Sequence, residues 1–176
     1  MTASSFIRRF DFTPLDIALH TPFGISGGAQ AMANNVLVTL ELNGGFIGYG
    51  EAAPLPPYNG ETQAQAMTVL AAAQAWLVGK PADDWRALAT EFRTRGGAAC
   101  GSAQCAFEMA LLDAVNRRDG VPMWKYFGGA GTTLETDMTV TTGSPEQAAI
   151  DARAIRDRRI RMIKVKVGGP KGPAYD

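Results

Sequence analysis

The sequence predicts an α+β fold, a three-stranded antiparallel meander with helices, followed by one βαβ unit of a parallel sheet. Three observations carry this. Apolar residues alternate with period two between Phe10 and Tyr49, the period becomes helical from Glu61, and near the C-terminus a β-prone stretch, a capped helix and a second strand follow one another.

Phe10 and Phe12, then after Pro14 the odd positions Leu15, Ile17 and Leu19, give a strand with one buried face. Thr21-Pro-Phe-Gly-Ile-Ser-Gly-Gly-Ala-Gln30 is glycine-rich and carries Phe23 and Ile25. It is long for a hairpin turn and reads as a loop, suited to a mobile flap over a ligand. Val36, Val38, Leu40 and Leu42 alternate as a second strand; Asn43-Gly-Gly45 supplies a tight turn, and Phe46 to Tyr49 returns as a third. Gly48, Gly50, Pro54, Pro56 and Pro57 then break the pattern, so a second irregular loop is expected around Glu51 to Tyr58. Glu51 is a candidate acid, although a carboxylate at a strand end more often pairs with a nearby backbone or arginine group.

From Glu61 a helix places Met67, Leu70, Ala71, Leu77 and Val78 on one stripe with Gln74 out of pattern, and Gly79 and Pro81 end it. Asp83 or Asp84 caps a second helix with Trp85, Leu88 and Phe92 at i, i+3 and i+7, closed by Gly96-Gly97. A third, about Ala98 to Arg117, is alanine-rich; Phe107, Ala110, Leu111 and Ala114 form a narrow face suited to close packing. Its Glu108 and Asp113 fit local pairing better than a site. After a short apolar turn at Met123–Phe127, Thr136 to Thr142 is β-prone. Ser144 then offers an N-cap, Pro145 a first helical residue and Gln147 a capping-box partner. Arg153, Arg156, Arg158, Arg159 and Arg161 crowd the end of that helix, where they suit the helix dipole and a solvated face.

The equal counts of acidic and basic residues leave no net field to attract nucleic acid or an anionic membrane, so the expected partner is a small molecule. Apolar runs are too short to span a bilayer, and the N-terminus lacks the apolar stretch of a secretory signal. Cys100 and Cys105 are spaced for neither a disulfide nor a zinc pair, and read as buried thiols in a reducing cytoplasm. The single histidine, His20, excludes Ser-His-Asp and multi-histidine metal chemistry within the chain and reads as a surface or packing residue.

The chemistry concentrates in Met162-Ile-Lys-Val-Lys-Val-Gly-Gly169. Ile163, Val165 and Val167 alternate with Lys164 and Lys166, which puts both ammonium groups on one side of a strand. At about 7 Å and an effective dielectric near 20, they repel by roughly 2.4 kcal/mol. That favours deprotonating one of them, but a base at neutral pH also requires burial or a metal ion. Strands of a parallel sheet are buried on both faces, so lysines there need a functional reason.

Taken in order, Thr21-Pro-Phe23, Gly48-Tyr-Gly-Glu-Ala-Ala-Pro54, Cys105-Ala-Phe-Glu-Met-Ala-Leu-Leu-Asp-Ala114, Thr136-Asp-Met-Thr-Val140 and the Lys164/Lys166 pair resemble the muconate-lactonizing branch of the enolase superfamily, and within it the dipeptide epimerases. The resemblance covers essentially the whole chain. It implies an N-terminal capping domain over residues 1–130 and, over 131–176, the start of a truncated (β/α) TIM-type barrel. Lys166 would exchange the proton α to a carboxylate, with Lys164 close by to aid its deprotonation and offset developing charge. Thr139 would contact substrate, while Phe23 and Ile25 would close over the dipeptide side chains. Mg2+ would stabilise the enolate, with its ligands and an opposing lysine on strands outside this chain, so that no metal ligand is expected here. Gly24 stands where relatives acting on Ala-Glu dipeptides often carry a basic residue, which points away from an acidic second residue.

A barrel takes about 250 residues. The resemblance therefore implies the N-terminal portion of an epimerase of L-Ala-L-Xaa dipeptides, inactive by itself, cytoplasmic, with a homo-oligomer compatible with it. The alternatives are an o-succinylbenzoate synthase, an N-acylamino-acid racemase or another cycloisomerase-like enzyme, and, from another class, a non-catalytic α+β module.

Overall fold

The computed structural model describes residues 5–25, 28–141, 143–168 and 172; of 21, 23–25, 28 and 29 it describes the backbone alone. Two compact units are present. One holds the chain up to Ile17 together with Ala33–Gly131; the other holds Ala18–Met32 together with the chain from Thr132 onward.

Three strands, β1 (Ile7–Ile25), β2 (Gly28–Leu42) and β3 (Ile47–Ala52), form one sheet in that order. β2 and β3 run antiparallel, from Val36 opposite Ala52 to Glu41 opposite Ile47. Val36, Val38, Leu40 and Leu42 are fully buried, as their alternation predicts. The expected flap loop is largely strand instead: β1 runs on through Ile25 and β2 resumes at Gly28. Ladder pairing is a backbone property, and the glycines of this stretch conceal it. Phe10 is buried, whereas Ile17 is 45% exposed, so the buried face expected of the first strand does not extend along it.

Gly48 and Gly50 do not interrupt β3; they are buried within it. A short helix, α1 (Pro56–Asn59), occupies the region expected to be irregular. α2 (Gln63–Leu77) starts at Thr62, whose side chain accepts the Gln65 N–H. Its buried stripe is Ala66, Leu70, Ala73 and Leu77, not the Met67, Ala71 and Val78 line; Val78 is 52% exposed. The small alanines, placed innermost, shift the phase by one residue. α3 (Trp85–Thr94) is capped by Asp84, whose carboxylate accepts the Ala87 N–H at 3.1 Å. α4 (Gly101–Asp119) follows a single 3-10 turn at Gly97–Ala99. Phe107 of α4 stacks on Phe92 of α3 at 4.6 Å and meets Phe10 of β1 edge-on at 6.0 Å, which joins two helices and the sheet in one core. α5 (Met123–Tyr126) ends this unit's helices.

In the second unit β4 (Asp137–Val140) and β5 (Met162–Val165) pair in parallel and α6 (Pro145–Asp157) connects them. Ser144 caps α6 by accepting the Gln147 N–H at 3.2 Å. The Gln147 side chain turns away to Asp151, so the reciprocal half of the expected capping box is not made. Val140 and Ile155 are buried, whereas Ile163 and Val165 are 42% and 58% exposed. Burial of β5 on both faces is therefore not observed: a two-stranded sheet covers only what its single helix reaches.

Candidate functional site

The β4–β5 register sets Thr139 opposite Lys164 and Val140 opposite Val165. One step beyond β5 the Lys166 N–H still donates to Val140 O, at 3.0 Å. Successive residues of a strand face opposite ways, so Thr139, Lys164 and Lys166 share one side of this pair, and Val140 turns the other way. Lys164 is exposed; Lys166 and Thr139 are half-buried. The backbone carrying Phe23 and Ile25 belongs to β1, and their side chains lie outside the described residues.

An open cleft of about 1120 Å³ in the same unit is lined by Thr139 and Thr141, by Asp151 of α6 and Arg158 at its C-terminal end, and by His20 and Gln30. Its walls come from β4, α6 and the strands β1 and β2, and neither lysine lines it. His20 is exposed and faces this cleft, a placement the sequence did not indicate.

Other carboxylates have local partners. Glu51 accepts from the Asn35 amide at 2.5 Å, Glu108 from Gln104 at 2.8 Å, and Asp113 from both the Tyr49 N–H and Arg117 Nε at 3.0 Å. Glu61 was not singled out by its sequence context, because its partners are distant in the chain. Its two oxygens accept the Gly101 N–H at 2.6 Å and the Ser102 N–H at 3.0 Å, and so cap α4, whose own N-cap, Cys100, offers no side-chain capping bond. Partial burial alone would raise the Glu61 pKa; the Ser102 hydroxyl, the two N–H groups and Cys100 outweigh it and hold the carboxyl below its ordinary value. Cys100 is buried as expected, whereas Cys105 is exposed: it lies on the outward side of α4.

Among the described residues no three His, Cys, Asp or Glu side chains gather to hold a metal ion. The described residues therefore do not fit a divalent cation by themselves, and no chemical step of this chain is routed through one. No described helix is long and apolar enough to cross a membrane.

Residues 11–128 match the N-terminal domain of the mandelate racemase/muconate lactonizing enzymes. The chain belongs to this family. Within it, the aromatic dipeptide epimerase of Herpetosiphon aurantiacus is 43% identical over 97% of this chain and 47% of its own length. A solved mandelate racemase/muconate lactonizing protein from the same organism superposes with a TM-score of 0.92 at 40% identity, over 99% of this chain and 48% of that one. The dipeptide epimerase of Cytophaga hutchinsonii, solved with Mg and the dipeptide D-Ala-L-Val, gives 0.86 at 32% identity, over 94% and 45%. The chain thus spans about half the length of the relatives it matches, and over that half it shares their antiparallel sheet with helices and the parallel strand pair that begins a barrel.

Proposed function

We propose that this chain is the N-terminal portion of a dipeptide epimerase that inverts the α-carbon of the C-terminal residue of an L-Ala-L-Xaa dipeptide. The observation that carries the reading is the β4–β5 register, which sets Thr139 beside Lys164 and continues through the Lys166 N–H. In this reading residues 1–130 cap the site and residues 131–176 open the barrel. Lys166 Nζ takes the α-proton from one face of the substrate and returns it to the same face in the reverse reaction. Lys164, on the same side of the strand, holds positive charge where negative charge develops on the substrate carboxylate. Thr139 orients that carboxylate through its hydroxyl, and Phe23 and Ile25 cover the dipeptide side chains. Gly24 leaves no cation there for an acidic second residue, so neutral side chains are preferred.

The relatives' names support the reaction class, and the half-length match supports assigning the magnesium ligands and the opposing base to residues outside this chain. The 176 residues alone are accordingly inactive. The test is α-proton exchange followed by NMR in deuterated water with Mg2+, the full-length protein and a panel of L-Ala-L-Xaa dipeptides. Exchange with neutral second residues is expected. No exchange with any dipeptide, together with turnover of a succinylbenzoate precursor, overturns the epimerase reading and keeps the family.

A further inference from the structure

β1 and β2 are long strands, and each crosses from one compact unit to the other: β1 between Ile17 and Ala18, β2 between Met32 and Ala33. Beside that crossing, all within the first unit, lies a chain of side-chain hydrogen bonds. Asp16 Oδ1 accepts both the Asn34 amide at 2.9 Å and the Gln63 amide at 2.8 Å. Gln63 Nε2 also donates to Asn35 O at 2.7 Å, and the Asn35 side chain donates to Glu51 Oε1 at 2.5 Å. One residue of β1, two of β2, the first residue of α2 and the penultimate residue of β3 are thus tied together beside the points where β1 and β2 pass from one unit to the other. The two amides that converge on Asp16 also hold its carboxyl below the ordinary range.

Sheet hydrogen bonding alone does not require these contacts, because the side chains concerned are mostly solvent-facing and add nothing to the apolar core. What they do is cross-link three strands to a helix that is itself fixed by its Leu70 and Leu77 anchors. We propose that Asp16 and Gln63 form a clamp that holds β1 and β2 together at the root of the arm Ala18–Met32, and so act as positioning residues for the strand ends that enter it. That the arm covers a dipeptide rests on the function proposed above; the clamp does not.

The experiment is backbone hydrogen–deuterium exchange on the 176-residue chain, comparing Asp16→Ala, Gln63→Ala and Asp16→Asn with the parent. Both bonds to Asp16 end on a single carbonyl-type oxygen, which asparagine retains. Asp16→Ala and Gln63→Ala are expected to speed exchange at residues 18–20 and 30–32 about fivefold, the scale of one net hydrogen bond. Exchange across Val36–Leu42 and the thermal midpoint should stay unchanged, and Asp16→Asn should behave like the parent. The proposal is overturned by unchanged arm exchange in both alanine variants, by equal acceleration in Val36–Leu42, or by an Asp16→Asn variant that behaves as Asp16→Ala. No turnover is measured, so failure of the clamp and failure of the epimerase reading are separate results.

Discussion

Ala106 O stands 1.9 Å from the point that a β-carbon on Gly50 would occupy. Two residues away on the same face, a β-carbon on Gly48 would lie 2.1 Å from Ala110 O and 2.3 Å from Ala114 N. α4 therefore rests on β3 at backbone distance, and the pairing of Gly48 and Gly50 with Ala106, Ala110 and Ala114 is the condition for it. The neighbours of these glycines are helix backbone and cannot rotate out of the way. Gly50→Ala should cost about 3 kcal/mol through displacement of the helix, at the upper end of ordinary overpacking. Urea unfolding measures it, and a loss below about 1 kcal/mol would show that α4 shifts freely.

Phe107 contacts both Phe92 and Phe10, so its removal opens the centre of the core rather than its margin. Phe107→Ala is expected to destabilise by about 4 kcal/mol, within the range for aromatic truncations. A surface-like loss, under about 1 kcal/mol in the same unfolding assay, would contradict the central position assigned to this ring.

The Glu61 carboxyl has its folded pKa below the ordinary value of 4.5. A depressed carboxyl contributes stability that is fully present above the unfolded value and lost as pH falls through the folded one. Between pH 7 and pH 3 the parent should therefore lose more stability than Glu61→Gln, in which this titration is absent. Urea midpoints at the two pH values test it; equal losses would mean that the cap on α4 contributes no proton linkage.

Ser144 caps α6 through one bond to the Gln147 N–H, without the reciprocal half of the box. Ser144→Ala should cost about 1 kcal/mol. Local exchange in α6 is the better readout, because the first unit has a core of its own. Gln147→Ala should change little, since its side chain bonds Asp151 rather than the helix start.

Elements whose burial is one-sided were readable from the sequence. Val36 to Leu42 alternate because one face of β2 is fully buried, and Trp85, Leu88 and Phe92 repeat because α3 presents one face to the core. Where backbone rather than side chains sets the structure, the signal fails. Gly48 and Gly50 look like strand breakers and are packing residues, and the glycine-rich arm looks like a loop although its backbone continues β1 and β2. Ala66 and Ala73 lie innermost on α2, but alanine's weak preference could not fix the phase against Met67. The common side of Lys164 and Lys166 was legible from period two, whereas the place of Thr139 opposite Lys164 depends on the β4–β5 register, and that of His20 and Gln30 in the cleft on contacts distant in sequence. Glu61 was invisible because its partners, Gly101 and Ser102, are close only in space.

In the function proposed above, Lys166 serves one face of the substrate carbon. In the full-length protein with Mg2+ and deuterated water, α-proton exchange should be followed by NMR for both epimers of one accepted dipeptide, in the parent and in Lys166→Ala. The variant is expected to lose exchange from one epimer by a factor of at least about 100, on the scale of a general base, while exchange from the other is retained. Parent-like exchange of both epimers in Lys166→Ala would contradict it.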